Sequence, residues 1–106
     1  MDSVQGKFEG PFFIDRDLAV HGMITELATV RSGFTLVLHG MVTGDLVVEA
    51  GARATIHGMV NGSVMNDGGH VEIFGMVDSV VDRSPTAVTV IAPKARVRAQ
   101  PRANVL

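Results

Sequence analysis

The chain contains no cysteine, tryptophan or tyrosine, and phenylalanine is its only carbocyclic aromatic, at five positions. Lacking cysteine, it has neither a disulfide framework nor a thiolate metal site, and this is compatible with a reducing cytoplasm. With so few aromatics, any core has to be assembled from aliphatic side chains. No uninterrupted apolar run approaches the roughly 20 residues of a membrane-spanning helix. The start, Met1-Asp2-Ser3-Val4-Gln5-Gly6, has no basic region followed by an apolar one, so no signal peptide is expected. What is present is 46% hydrophobic residues and twelve glycines in 106 positions, the composition of one small folded domain with many tight corners.

The glycines fall into a frame. His21-Gly22-Met23-Ile24, His39-Gly40-Met41-Val42 and His57-Gly58-Met59-Val60 are followed by Phe74-Gly75-Met76-Val77, at intervals of 18, 18 and 17 residues. A second glycine follows four positions later in Gly40 to Gly44 and Gly58 to Gly62. Gly6-Lys7-Phe8-Glu9-Gly10 has the same form and reads as an earlier copy, whereas Glu26 and Ser79 stand where the other coils have this second glycine. A third column runs through Gly33, Gly51 and Gly69. A unit of about 18 residues cannot enclose a core and must stack on its neighbours, which predicts a solenoid.

Within each copy the apolar residues alternate. Leu18, Val20 and Ile24 share one parity, as do Leu36, Leu38, Val42, Leu46 and Val48; Ile56, Val60 and Val64 continue it, then Val71, Ile73, Val77 and Val81. Period two with one buried face predicts short strands joined by turns. The fold class expected is therefore all-β: a single-domain β-helix of five to six short coils with a 16 to 18 residue repeat. It should occupy residues 1–91, with Val88-Thr89-Val90-Ile91 as the last strand, and residues 92–106 should form a basic, proline-containing tail. Aliphatic ladders such as Leu38, Ile56 and Ile73 should carry the stability, at roughly 1.5 to 3 kcal/mol for each buried side chain.

The opposite parity carries what the fold does not need. His21, His39, His57 and Phe74 form one outward column and Met23, Met41, Met59 and Met76 the next. Such an apolar stripe marks a surface covered by another part of the chain, by a second copy or by a different partner. The remaining alternative is an inward methionine column with the parity reversed at the corner. Imidazoles beside thioethers raise a copper(I) reading, but the columns hold no carboxylate or thiolate, and a residue repeated in register needs only a stacking explanation. No metal or cofactor is expected.

Charge is divided along the chain. Residues 1–82 hold four basic and eleven acidic groups, a net of -7, and residues 83–106 hold Arg83, Lys94, Arg96, Arg98 and Arg102 with no acid. A basic tail on an acidic body is either solvated or docks on an acidic coil face, of its own or another subunit. Five dispersed cations without interleaved aromatics do not make a nucleic-acid footprint.

The units Gly40-Met41-Val42-Thr43-Gly44-Asp45-Leu46 and Gly58-Met59-Val60-Asn61-Gly62-Ser63-Val64 resemble those of the bactofilins, polymer-forming bacterial cytoskeletal proteins. The likeness covers roughly residues 6 to 91. It implies a right-handed β-helix without catalytic residues that assembles end to end without nucleotide, in the cytoplasm or at the inner face of the cell envelope. The positions concerned would be Phe8, Phe12 and Phe13 at one end and Val88, Val90 and Ile91 at the other. Two other classes are weighed against it. The period is also three hexapeptides, as in left-handed β-helix acyltransferases, with His21, His39, His57 and His70 as candidate bases. The alternation does not reset every six residues, however, and no nucleophile elbow or P-loop is present. The second class is a small solenoid binding one protein partner, such as an immunity protein or envelope adaptor.

Overall fold

A computed structural model describes residues 1–99. Among these every regular element is a β-strand, and every pairing between them is parallel. The first coil holds β1 (Asp2–Val4), β2 (Lys7–Glu9) and β3 (Phe12–Ile14); the second holds β4 (Leu18–Val20), β5 (Met23–Thr25) and β6 (Ala28–Val30). The third holds β7 (Thr35–Leu38), β8 (Met41–Val42) and β9 (Leu46–Val48). In the fourth and fifth coils the second and third strands fuse around the corner, giving β10 (Arg53–Ile56) with β11 (Met59–Asn66) and β12 (His70–Ile73) with β13 (Met76–Asp82). A partial sixth coil adds β14 (Val88–Ile91) and β15 (Arg96–Ala99). The molecule is a β-solenoid of about five turns with three faces, the first a six-stranded sheet in the order β1-β4-β7-β10-β12-β14.

Like residues stack on like. Val20, Leu38, Ile56, Ile73 and Ile91 are in register along the first face, and Ile24, Val42, Val60 and Val77 along the second. Apart from Ile91 at the open end, all of these side chains are buried in one aliphatic core. Phe8 and Phe12 pack half-buried against its N-terminal end, their ring centroids 5.4 Å apart. Phe12 sits in register with Ala28, whose small side chain leaves room for the ring.

The frame glycines are required by closeness rather than by φ. A Cβ on Gly22, Gly40, Gly58 or Gly75 would lie 1.8 to 2.0 Å from the carbonyl oxygen of the glycine one coil earlier. This is a contact that no side chain can survive, so the corner admits only glycine. Gly6 of the frame, with φ of 103°, apart, the left-handed glycines form a different column, Gly33, Gly51 and Gly68, with φ of 88°, 79° and 118°. Gly33 and Gly51 each donate an amide to the next glycine of that column, 3.3 Å to Gly51 and 3.4 Å to Gly68. The expected third member, Gly69, is displaced by one position.

Three further expectations shift. Val81 is 43% exposed, and Val80 takes the core-facing place. The register between β11 and β13 slips after Val60 and Val77, so that Ser63 faces Ser79 and Met65 faces Val81. The solenoid also runs beyond Ile91. β15 pairs with β13, and Val97 is buried under Val77 at 6% exposure. Lys94, Arg96 and Arg98 therefore belong to the solenoid, while Pro101 and Arg102 lie outside the described residues. Pro11, Pro85 and Pro93 all fall between strands. Finally, no helix among the described residues is long and apolar enough to cross a membrane.

Candidate functional site

At the corner between the first and second faces, three columns run side by side from the second coil to the fifth. The ring column begins at His21, whose imidazole stacks on that of His39 at 4.7 Å and an interplanar angle of 5°. His39 stacks on His57 at 5.1 Å, and His57 on Phe74 at 5.1 Å. The glycine column lies beside it, and the methionine column follows, with Met23, Met41, Met59 and Met76 in continuous register. The outward parity holds: the three histidines are exposed and the four methionines half-buried.

A glycine column between two columns of large side chains makes a trough. Rings form one wall, thioethers the other, and the groove between them has a volume of about 940 Å³. Its backbone polar groups are already committed. The amides of Met41, Met59 and Met76 each donate to the carbonyl of Gly22, Gly40 or Gly58 at 3.0 Å, and Arg96 closes the series on Gly75 at 2.9 Å. The groove is therefore mostly apolar, with the imidazoles of His39 and His57 in one wall, and the glycine carbonyls of its floor are taken by the next coil.

Its ends are cationic. Lys7 is in register with Met23, and Arg96 with Met76, so both continue the methionine column; Lys94 lines the same end as Arg96. None of these three has an acidic partner among the described residues; the nearby Arg98 pairs with Asp78 at 3.9 Å. No residue lining the groove is acidic. Comparison with family models, curated proteins and solved structures finds no match. The groove's chemistry must therefore be read from its own residues.

Seven of the eight residues expected in the outward surface line this groove; His21 only stacks at its N-terminal margin. His70 lies on the first face, in β12, away from the ring column. The residues expected at the rod's ends divide. Phe8, Phe12 and Ile91 occupy core columns at the open coils, whereas Phe13 is 52% exposed on the outside with the Arg31 guanidinium 5.7 Å above its ring. Val88 and Val90 also face outward, in register with His70 and Glu72.

Four acidic side chains serve the coils. Asp17 accepts from the Thr35 amide at 3.0 Å, Asp45 from that of Ser63 at 2.8 Å and Glu49 from that of Ser32 at 2.9 Å, each bridging adjacent turns. Asp67 is chelated by Arg83, whose hydrogen bonds hold the carboxyl below its ordinary range. Sequence reasoning missed the cationic ends of the groove. Their signal was present, because Lys94-Ala95-Arg96 occupies the frame of Phe74-Gly75-Met76, but the step from Met76 to Arg96 is 20 residues and the glycine is lost.

Proposed function

We propose that this chain is a non-enzymatic structural protein, similar to the bactofilins, that self-associates into filaments or oligomers through the ends of its solenoid. The observation that carries this reading is the state of the two terminal coils. Ile91 is 39% exposed although Ile56 and Ile73, in the same column, are fully buried, and among the described residues no strand stacks beyond β14. At the opposite end Phe8 and Phe12 are half-buried, and β1 and β2 each pair on one side only. Open parallel edges that keep the interior register are templates for another copy. The structural use of four acidic groups and the stacking of the histidines support a non-catalytic reading. The bactofilin likeness adds a cytoplasmic location or the inner face of the envelope to the proposal.

Light scattering and negative-stain microscopy test this. The parent chain should form filaments or high-mass species, and Ile91→Lys should reduce them to monomers with an unchanged circular dichroism spectrum. A parent that stays monomeric at high concentration and shows no filaments overturns the proposal. A second reading, a solenoid that binds one protein partner, is favoured by the uncovered groove. Co-purification of a stoichiometric partner, in place of self-copies, would select it.

A further inference from the structure

The groove is a different kind of surface from the coil ends. We infer that it is a binding site for a single unbranched hydrocarbon chain bearing a carboxylate, that is, a free fatty acid lying parallel to the rod axis. Length is the first argument. Adjacent strands are about 4.8 Å apart, so the five steps from Lys7 to Arg96 span roughly 24 Å, with four methionines along the way. An elongated, largely apolar groove of that length suits an extended chain rather than a compact molecule.

The second argument is what the floor withholds. An extended peptide adding to this surface would seek main-chain donors and acceptors. Here the glycine carbonyls are already taken by the amides of the next coil. A hydrocarbon asks for no hydrogen bond, and flexible thioethers adapt to it. Charge is the third argument. Lys94 and Arg96 at one end of the groove have no acidic partner among the described residues, and a carboxylate placed there would be held by two cations. The same charges disfavour a second copy, since two grooves laid face to face bring cations against cations in either orientation.

Equilibrium dialysis of the full chain against radiolabelled dodecanoate, below its micellar range, tests this whether or not the protein is assembled. Saturable binding of one chain per protein is expected. From decanoate to tetradecanoate affinity should rise roughly twofold per methylene, since an open groove removes only part of each from water. Met41→Gln with Met59→Gln should weaken both dodecanoate and 1-dodecanol by about tenfold. Lys94→Gln with Arg96→Gln should weaken dodecanoate by about tenfold and leave 1-dodecanol unchanged. These side chains are outside the core, and circular dichroism checks that each variant keeps its fold. Absence of saturation overturns the assignment, as does binding unaffected by either pair. Sedimentation with phosphatidylglycerol vesicles in a protein that ignores free dodecanoate also overturns it, in favour of a membrane surface. Monomeric protein that still binds dodecanoate would remove the self-association proposal and leave this one standing.

Discussion

Asn66 is the residue that least fits its column and explains most about the C-terminal coils. It lies in register with Val48, in a column that Ile14, Val30 and Val48 make aliphatic through the first three coils, yet it is fully buried. Its amide group donates to the Val88 carbonyl and the Thr89 hydroxyl, both at 3.0 Å, while its oxygen accepts from the Gly68 and Gly69 amides at 3.2 and 2.7 Å. Thr89 passes the chain of hydrogen bonds to Asp82 at 2.7 Å. One side chain thus ties the left-handed corner of the fourth coil to the strand that opens the sixth. If Asn66 were merely a tolerated polar residue, Asn66→Val would extend the aliphatic column at no cost. We expect instead a loss of about 2 kcal/mol or more in urea denaturation, because buried backbone groups would be left unpaired. Nearby, Asp67 and Arg83 make a surface pair whose pH dependence has a definite sign. Because the carboxyl is held below its unfolded value, the pair's contribution is present above that value and is lost as pH falls through the folded one. Both side chains are at least a third exposed, so solvent screening keeps the effect small. The melting temperature of Arg83→Met should lie below that of the parent at pH 6, and the gap should shrink as the pH is lowered through the acid range.

For the individual coil, the corner glycine decides whether the strands can stack at their normal spacing. A Cβ at position 58 would lie 1.9 Å from the Gly40 oxygen, an atom fixed by its hydrogen bond from Met59 at 3.0 Å. Gly58→Ala must therefore push the corners apart and break that bond, at a cost of about 3 kcal/mol. Gly33→Ala would meet no atom within 4 Å, so it suffers only the unfavourable left-handed φ of 88°, at about 1 kcal/mol. Chemical denaturation of the two variants should show that difference. This ordering also marks how far the sequence was legible. Corner glycines, aliphatic ladders and the outward His and Met columns could be read because each repeats at a constant interval. Val81, Gly68 and β15 could not, because each lies where the interval changes. The Val60 to Val77 step is 17 residues, the Ser63 to Ser79 step 16, and the Met76 to Arg96 step 20. A period of two inverts its faces on a one-residue slip, so a reading by parity fails at the first deletion even though the pairing itself continues. The groove was only partly legible for a related reason. Alternation assigns side chains to a face but says nothing about the angle between two faces, and it is the glycine corner between them that turns two stripes into a trough.

As a whole molecule the rod is a one-dimensional stack, and this makes an unusual deletion informative. Apart from the Asn66 bonds to the sixth coil, each interior coil pairs only with its two neighbours, so stability is approximately a sum of coil and interface contributions. Removing residues 40–57 would join His39 directly to Gly58 and regenerate the frame His-Gly-Met-Val. The strands left in contact would then be β7 with β12 and β5 with the start of β11, pairs whose columns already match: Leu38 over Ile73 and Ile24 over Val60. Ring and methionine columns would each lose one member and stay continuous. We expect a folded protein, one rung shorter, with a melting temperature lower by on the order of 10 °C. Removing residues 40–48 instead deletes half a period and sets Leu38 beside a chain running out of register, so that variant should be unfolded by circular dichroism. The whole-coil deletion also separates the two functional proposals. The whole-coil deletion leaves Phe8, Phe12 and Ile91 at the ends, so self-association should persist. It shortens the groove between Lys7 and Arg96 from five steps to four, so the preferred fatty acid should become shorter. A deletion variant that assembles normally and shifts its optimum to a shorter chain would place assembly at the ends and ligand binding along the corner.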